Sequence, residues 1–179
     1  MPFLRFPRIL PAIFCGFALI GTIKAGTQSV SNTLGALINA VGSLSVPGSA
    51  TLSQSGAVFN AFSGAVTVQY RARTSSGGGG TVTLKVTQDF QTGGPSVASG
   101  DLAYTCGSAG MGTACSATTA STSSATAVVT LPASACTGGG SPCSSSDPNT
   151  VIVTFTLADR PAVSTGSYTA NVQFTISAT

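Results

Sequence analysis

Gly64-Ala65-Val66-Thr67-Val68-Gln69-Tyr70-Arg71-Ala72-Arg73 alternates apolar and polar residues for ten positions. A period of two is the signature of a strand with one buried and one wet face. Val66, Val68, Tyr70 and Ala72 fall on the apolar side, and Thr67, Gln69, Arg71 and Arg73 on the other. After Ser75-Ser76-Gly77-Gly78-Gly79-Gly80, the stretch Thr81-Val82-Thr83-Leu84-Lys85-Val86-Thr87 alternates in the same way. Residues 65–87 therefore read as a β-hairpin whose Gly-rich loop is mobile and has no packing capacity.

Outward from this pair, further strands are expected at 102–105, 125–131, 150–157 and 167–176. In the last, Tyr168, Ala170, Val172, Phe174 and Ile176 share one face. Short alternating strands between turns rich in Gly, Pro and Ser predict an all-β chain, an Ig-like antiparallel β-sandwich. Composition agrees. Thr and Val suit a half-buried pleated surface, and too little Leu, Lys, Glu and Arg is present to build amphipathic helices.

The first 25 residues read as a secretory signal peptide. Arg5 and Arg8 precede the apolar run Ile9–Ile20, which is too short for a stable anchor, and cleavage is expected after Ala25. Phe14 is too bulky a neighbour for Cys15 to be a lipidation site. Arg5, Arg8 and Lys24 leave with the leader, so the net charge of +3 belongs to it, and four bases then balance four acids. A neutral mature chain does not support a basic surface for nucleic acid or anionic lipid, nor does the mature form span a membrane. The localisation expected is secreted, extracellular or at the cell surface.

Only 6% of the chain is charged, and it has no His, no Trp and no Glu. A His-based nucleophile triad, a His metal site and a paired-Glu glycosidase site are thereby excluded. No GxSxG, Walker or HExxH pattern occurs. Gly77–Gly80 lacks the Lys-Ser/Thr and helix start of a phosphate cradle. Asp89, Asp101, Asp147 and Asp159 are isolated and suit turns. Neither catalysis, a cofactor nor a metal is expected. Arg71 and Arg73 suit a solvated strand face, or contact with an acidic glycan.

Four cysteines remain after the leader: Cys106, Cys115, Cys136 and Cys143. An even set in an exported chain implies two disulfides with three possible connectivities. Sequential pairing, 106–115 and 136–143, is favoured because each pair flanks a short Gly/Ser-rich loop. Those loops would be floppy without their staples.

Residues 26–47 form an extended arm or a first strand ahead of a domain at 48–179. Even positions from Leu34 read Leu34, Ala36, Ile38, Ala40, Gly42, Leu44 and Val46, and Pro47 ends the track. Helical spacing fits Leu34, Leu37, Ile38 and Val41, but Gly35, Gly42 and the absence of charge favour extended structure.

An exported, disulfide-stapled chain rich in Thr, Ser, Val and Gly, with an apolar N-terminal arm, resembles bacterial fimbrial and pilus subunits. The ending Thr165-Gly166-Ser167-Tyr168-Thr169-Ala170-Asn171-Val172-Gln173-Phe174-Thr175-Ile176 is similar to the closing strand of such subunits and of spore-coat-U-like secreted pilins. Two features depart from them: the cysteines cluster in the second half, and Ser177-Ala178-Thr179 lacks an aromatic end. The resemblance implies a filament assembled head to tail from copies of this chain, with an assembly chaperone as a further partner. Leu34, Ala36, Ile38 and Ala40 would then be the polymerisation arm, inserted into a neighbour. Set against this is the reading that 28–46 is the domain's own first strand. A monomeric adhesion or glycan-binding module, or a secreted coat or matrix protein, is the alternative function.

Overall fold

The computed structural model describes residues 33–56, 58–136, 143 and 146–179. The leader read at 1–25 lies outside the described residues. Leu37–Thr179 is one unit and Met1–Ala36 another, and the architecture below is that of the first. Among the described residues there are ten strands and no α-helix. They are β1 (Val41–Ser45), β2 (Ser53–Gln54), β3 (Phe62–Arg73), β4 (Gly80–Gln88) and β5 (Leu102–Cys106). After them come β6 (Thr113–Ala114), β7 (Thr118–Thr119), β8 (Thr126–Leu131), β9 (Asn149–Leu157) and β10 (Asn171–Ala178).

The strands make an antiparallel β-sandwich. One sheet runs β1-β3-β9-β5-β7, with β2 pairing the start of β3, and the other runs β10-β4-β8-β6. The alternation read from the sequence sets the faces: Val66, Val68, Tyr70 and Ala72 of β3 are buried, and Arg73 is exposed. Val82, Leu84 and Val86 of β4 and Val128, Val129 and Leu131 of β8 join them in one core with Val151, Val153 and Phe155 of β9.

The hairpin expected over 65–87 does not form. Its two strands are where the sequence places them, but β3 pairs with β1, β2 and β9, whereas β4 pairs with β10 and β8. Both strands carry an apolar face that needs cover. Set in opposite sheets, they bury those faces in a common core; side by side, both would still need a second layer.

Nor is the Gly-rich connection devoid of packing. Ser75 N–H donates to Thr179 O at 2.9 Å, and Thr179 N–H donates to Gly79 O at 2.9 Å. A Cβ on Gly78 would sit 2.3 Å from Thr179 O, and one on Gly80 2.3 Å from Ser177 O. The glycines permit close approach of two backbones. The last strand also begins later than expected. Tyr168 stands outside β10, its hydroxyl donating to Ser164 O at 2.9 Å, and its ring occupies the space a Cβ on Gly94 would need.

Both disulfides pair sequentially, Cys106–Cys115 and Cys136–Cys143. Between β5 and β8, β6 and β7 extend the two sheets as short edge strands.

The buried hydroxyls of Tyr104, Tyr70 and Thr74 find partners beyond their own strands. The Tyr104 hydroxyl of β5 donates to Thr126 Oγ1 of β8 at 2.6 Å, and Thr126 Oγ1 donates to Leu84 O of β4 at 3.2 Å. The Tyr70 hydroxyl donates to Met111 O and accepts from Met111 N–H at 3.1 Å. Burial raises the pKa of both tyrosines despite these hydrogen bonds. Thr74, 1% exposed, closes the end where the chain changes sheets. Its Oγ1 donates to Pro132 O and accepts from Ala135 N–H, each at 2.8 Å, and its N–H donates to Ala135 O at 3.1 Å.

Thr74→Val keeps the shape and removes the hydroxyl, so Pro132 O and Ala135 N–H lose a buried partner. The expected cost is about 1–3 kcal/mol, read as a lower urea midpoint at unchanged m-value.

Candidate functional site

Three flanks of the molecule concentrate chemistry: the neighbouring edges of β1 and β10, a cleft beside β5, and the outer face of β3. The first is formed by strands that end their sheets. β10 pairs with β4 from Asn171↔Gln88 to Ala178↔Gly80, with a bulge at Asn171/Val172, and its other edge pairs with no described strand. No charged residue or proline interrupts Asn171–Ala178, so the devices that blunt free strand edges are missing.

The inward row of β10 is incompletely covered. Val172, Phe174 and Ile176 are half-buried, whereas Val82, Leu84 and Val86 on the neighbouring β4 are at most 1% exposed. β1 stands opposite, at the edge of the other sheet. Its register on β3 places Gly42 across from Ala72 and Leu44 across from Tyr70, so both face inward. A Cβ on Gly42 would lie 3.0 Å from Ile176 Cγ1, which brings the two edges together on one flank.

The ladder of β1 on β3 ends at Val41↔Arg73, and Arg73 is the last residue of β3. The chain before Val41 therefore has no strand of that sheet to follow. Residues 33–40 carry no regular structure. Leu34 is 95% exposed, Leu37 87% and Ile38 70%; Ala36 is exposed and Ala40 half-buried. The structure thus divides the described part of the arm: 41–45 pairs within its own chain, and 33–39 is exposed. Gly42 was read only as favouring extended structure, and neither its approach to β10 nor the edge of β10 was singled out in the sequence. The uncharged run Asn171–Ala178 was the signal available for the edge.

The second flank is an open cleft of about 560 Å³ whose lining includes Gly94, Ser96, Ser99, Asp101, Arg160 and Val163. Asp101, 4% exposed, pairs with Arg160 Nε and accepts from Ser96 N–H at 2.9 Å. Asp89 accepts from Phe90 N–H at 2.8 Å, Val97 N–H at 2.9 Å and Ser96 Oγ at 3.2 Å. Burial works to raise the Asp89 carboxyl, but the hydrogen bonds it accepts outweigh that and hold it below its ordinary value. These groups are committed to one another and shape the 89–101 connection, as the turn reading of the aspartates anticipates. Asp159 lies apart, accepting from Gln54 Nε2 at 2.8 Å.

On the third flank, Arg71 and Arg73 point away from the core with Thr67 and Gln69, as the alternation requires. Among the described residues, no helix is long and apolar enough to cross a membrane.

No protein-family model, curated protein or solved structure matches this chain.

A carboxylate with a depressed native pKa adds stability above its unfolded value of about 3.9, and that stability is lost as pH falls through the native value. Asp89→Asn should therefore melt below the parent at neutral pH. The gap should narrow below pH ~3.9; thermal melts across the acid range check this.

Proposed function

We propose that this protein is an exported structural subunit of an extracellular filament, in which the N-terminal segment of one copy adds as a strand to the free edge of β10 in the next. The observation that carries the reading is the flank itself: an eight-residue, charge-free strand edge with half-covered apolar side chains, in a chain that also bears an uncovered apolar segment.

The chemistry of the two parts matches. Unpaired N–H and C=O groups along β10 accept an extended chain as an added strand, and alternate side chains of that chain complete the apolar layer. Residues 33–40 are eight in number, as is β10. Both span about 27 Å when extended. Leu34, Ala36, Ile38 and Ala40 form one candidate apolar row, and their small members let the arm lie close to the receiving backbone. Because donor segment and receiving edge are different surfaces, the contact is heterologous and propagates as an open polymer.

Export is supported by the leader chemistry at 1–25 and by two disulfides, which persist in oxidising compartments. Copies of the chain are the principal partner, with an assembly chaperone as a protector of the free edge before polymerisation.

Electron microscopy of the purified mature protein and of cell-surface material should show uniform filaments containing this chain. A variant lacking 26–40 retains β1 and should melt near the parent temperature while forming no filaments. Unimpaired polymerisation of that variant would falsify strand donation. Monodisperse particles in every sample would instead favour the monomeric adhesion module.

A further inference from the structure

We propose that Arg71 and Arg73 form a binding site for a carboxylate-bearing polysaccharide on the outer face of the β1-β3-β9 sheet. The inference does not rest on the filament reading, since the site lies within a single chain.

Charge bookkeeping isolates the pair. Outside the leader the bases are Arg71, Arg73, Lys85 and Arg160. Arg160 is engaged by Asp101, and Lys85 lies on β4 in the opposite sheet. Neither Arg71 nor Arg73 pairs with a carboxylate among the described residues. They are two residues apart on one strand, so they project from the same face about 7 Å apart. β9 begins at Asn149, opposite Tyr70, and beyond that point β1 is the one described strand that pairs with β3.

Arg71 carries the anomaly that points to a ligand. The residue is half-buried, and its Nε is buried without a hydrogen-bond partner among the described residues. A guanidinium that has lost part of its water and gained no counter-charge is an unfavourable arrangement. An anion reaching the rest of its fork relieves it.

The surroundings favour a sugar polymer. The cross-strand neighbours are Ser43 beside Arg71, Ser45 and Thr150 beside Gln69, and the exposed Val41 beside Arg73. Uncharged hydroxyl and amide groups complement sugar hydroxyls, and an open sheet face admits a chain lying across it. A planar guanidinium fork matches a carboxylate in two parallel hydrogen bonds. Two such forks, in a chain with no net charge outside the leader, are too few for a polyphosphate. Where subunits repeat, one weak site per subunit sums to strong attachment.

The test is affinity electrophoresis of the purified protein in native gels containing polygalacturonate, with neutral dextran and dextran sulfate gels alongside. Polygalacturonate should retard the parent protein, less so as salt rises, and neutral dextran should not. Arg71→Gln with Arg73→Gln should weaken binding by about tenfold or more, the loss expected for charge-assisted hydrogen bonds. Arg73 is exposed, so Arg73→Gln alone keeps the fold and should itself weaken binding; equal melting temperatures confirm that. Lys85→Gln should bind like the parent. The proposal is overturned if polygalacturonate does not retard the parent, if Lys85→Gln loses as much as the arginine variants, or if only dextran sulfate is bound.

Discussion

Mutual burial of two apolar strand faces governs this structure. β3 and β4 are neighbours in sequence, and each has one side that water must not reach. They satisfy that requirement by entering opposite sheets, and the rest of the architecture follows. The connection between them changes layers, so Thr74 must satisfy backbone groups at the crossing, and the glycines after it must let the end of the chain approach. The remaining strands then add on either side of a core of Val, Leu and Tyr, with the two tyrosine hydroxyls spending their hydrogen bonds on groups across the sandwich.

That arrangement ends unevenly. On one flank, β6 and β7 are two-residue strands that leave little edge to pair with. On the other, β10 offers eight residues of edge that pair with no described strand, and its inward side chains remain half-covered. β1 covers part of this flank, touching Ile176 through a position where only glycine fits without displacement. An edge of this length without charge or proline invites another strand. The exposed apolar residues Leu34, Leu37 and Ile38 precede β1 in the same chain, and the proposed filament joins these two facts.

Scarcity of charge makes each ionic group informative. Asp89 is held by backbone amides and Asp101 by Arg160, and both serve the 89–101 connection. Set against them, Arg71 and Arg73 stand out as cations that pair with no carboxylate among the described residues. Their placement on a face bearing Ser43, Ser45 and Thr150 is what the proposed acidic polysaccharide would meet.

Much of this was legible in the sequence. Period-two alternation around Val66–Ala72, Val82–Val86 and Val151–Leu157 determined the strands and which side of each is dry, because pleating sends successive side chains to opposite faces. Short Gly/Ser loops between cysteines favoured the sequential disulfides that the structure contains, and the outward placement of Arg71 and Arg73 followed from the same alternation. Tertiary structure alone decided which strands pair. A period of two reports that a face must be covered and not by what, so β3–Gly-rich loop–β4 reads equally as a hairpin or as a crossing between sheets. For the same reason, the apolar track at 34–46 could not say where it would divide. The end of β3 at Arg73 set that boundary, placing Val41 on the last rung of the ladder and leaving 34–39 exposed.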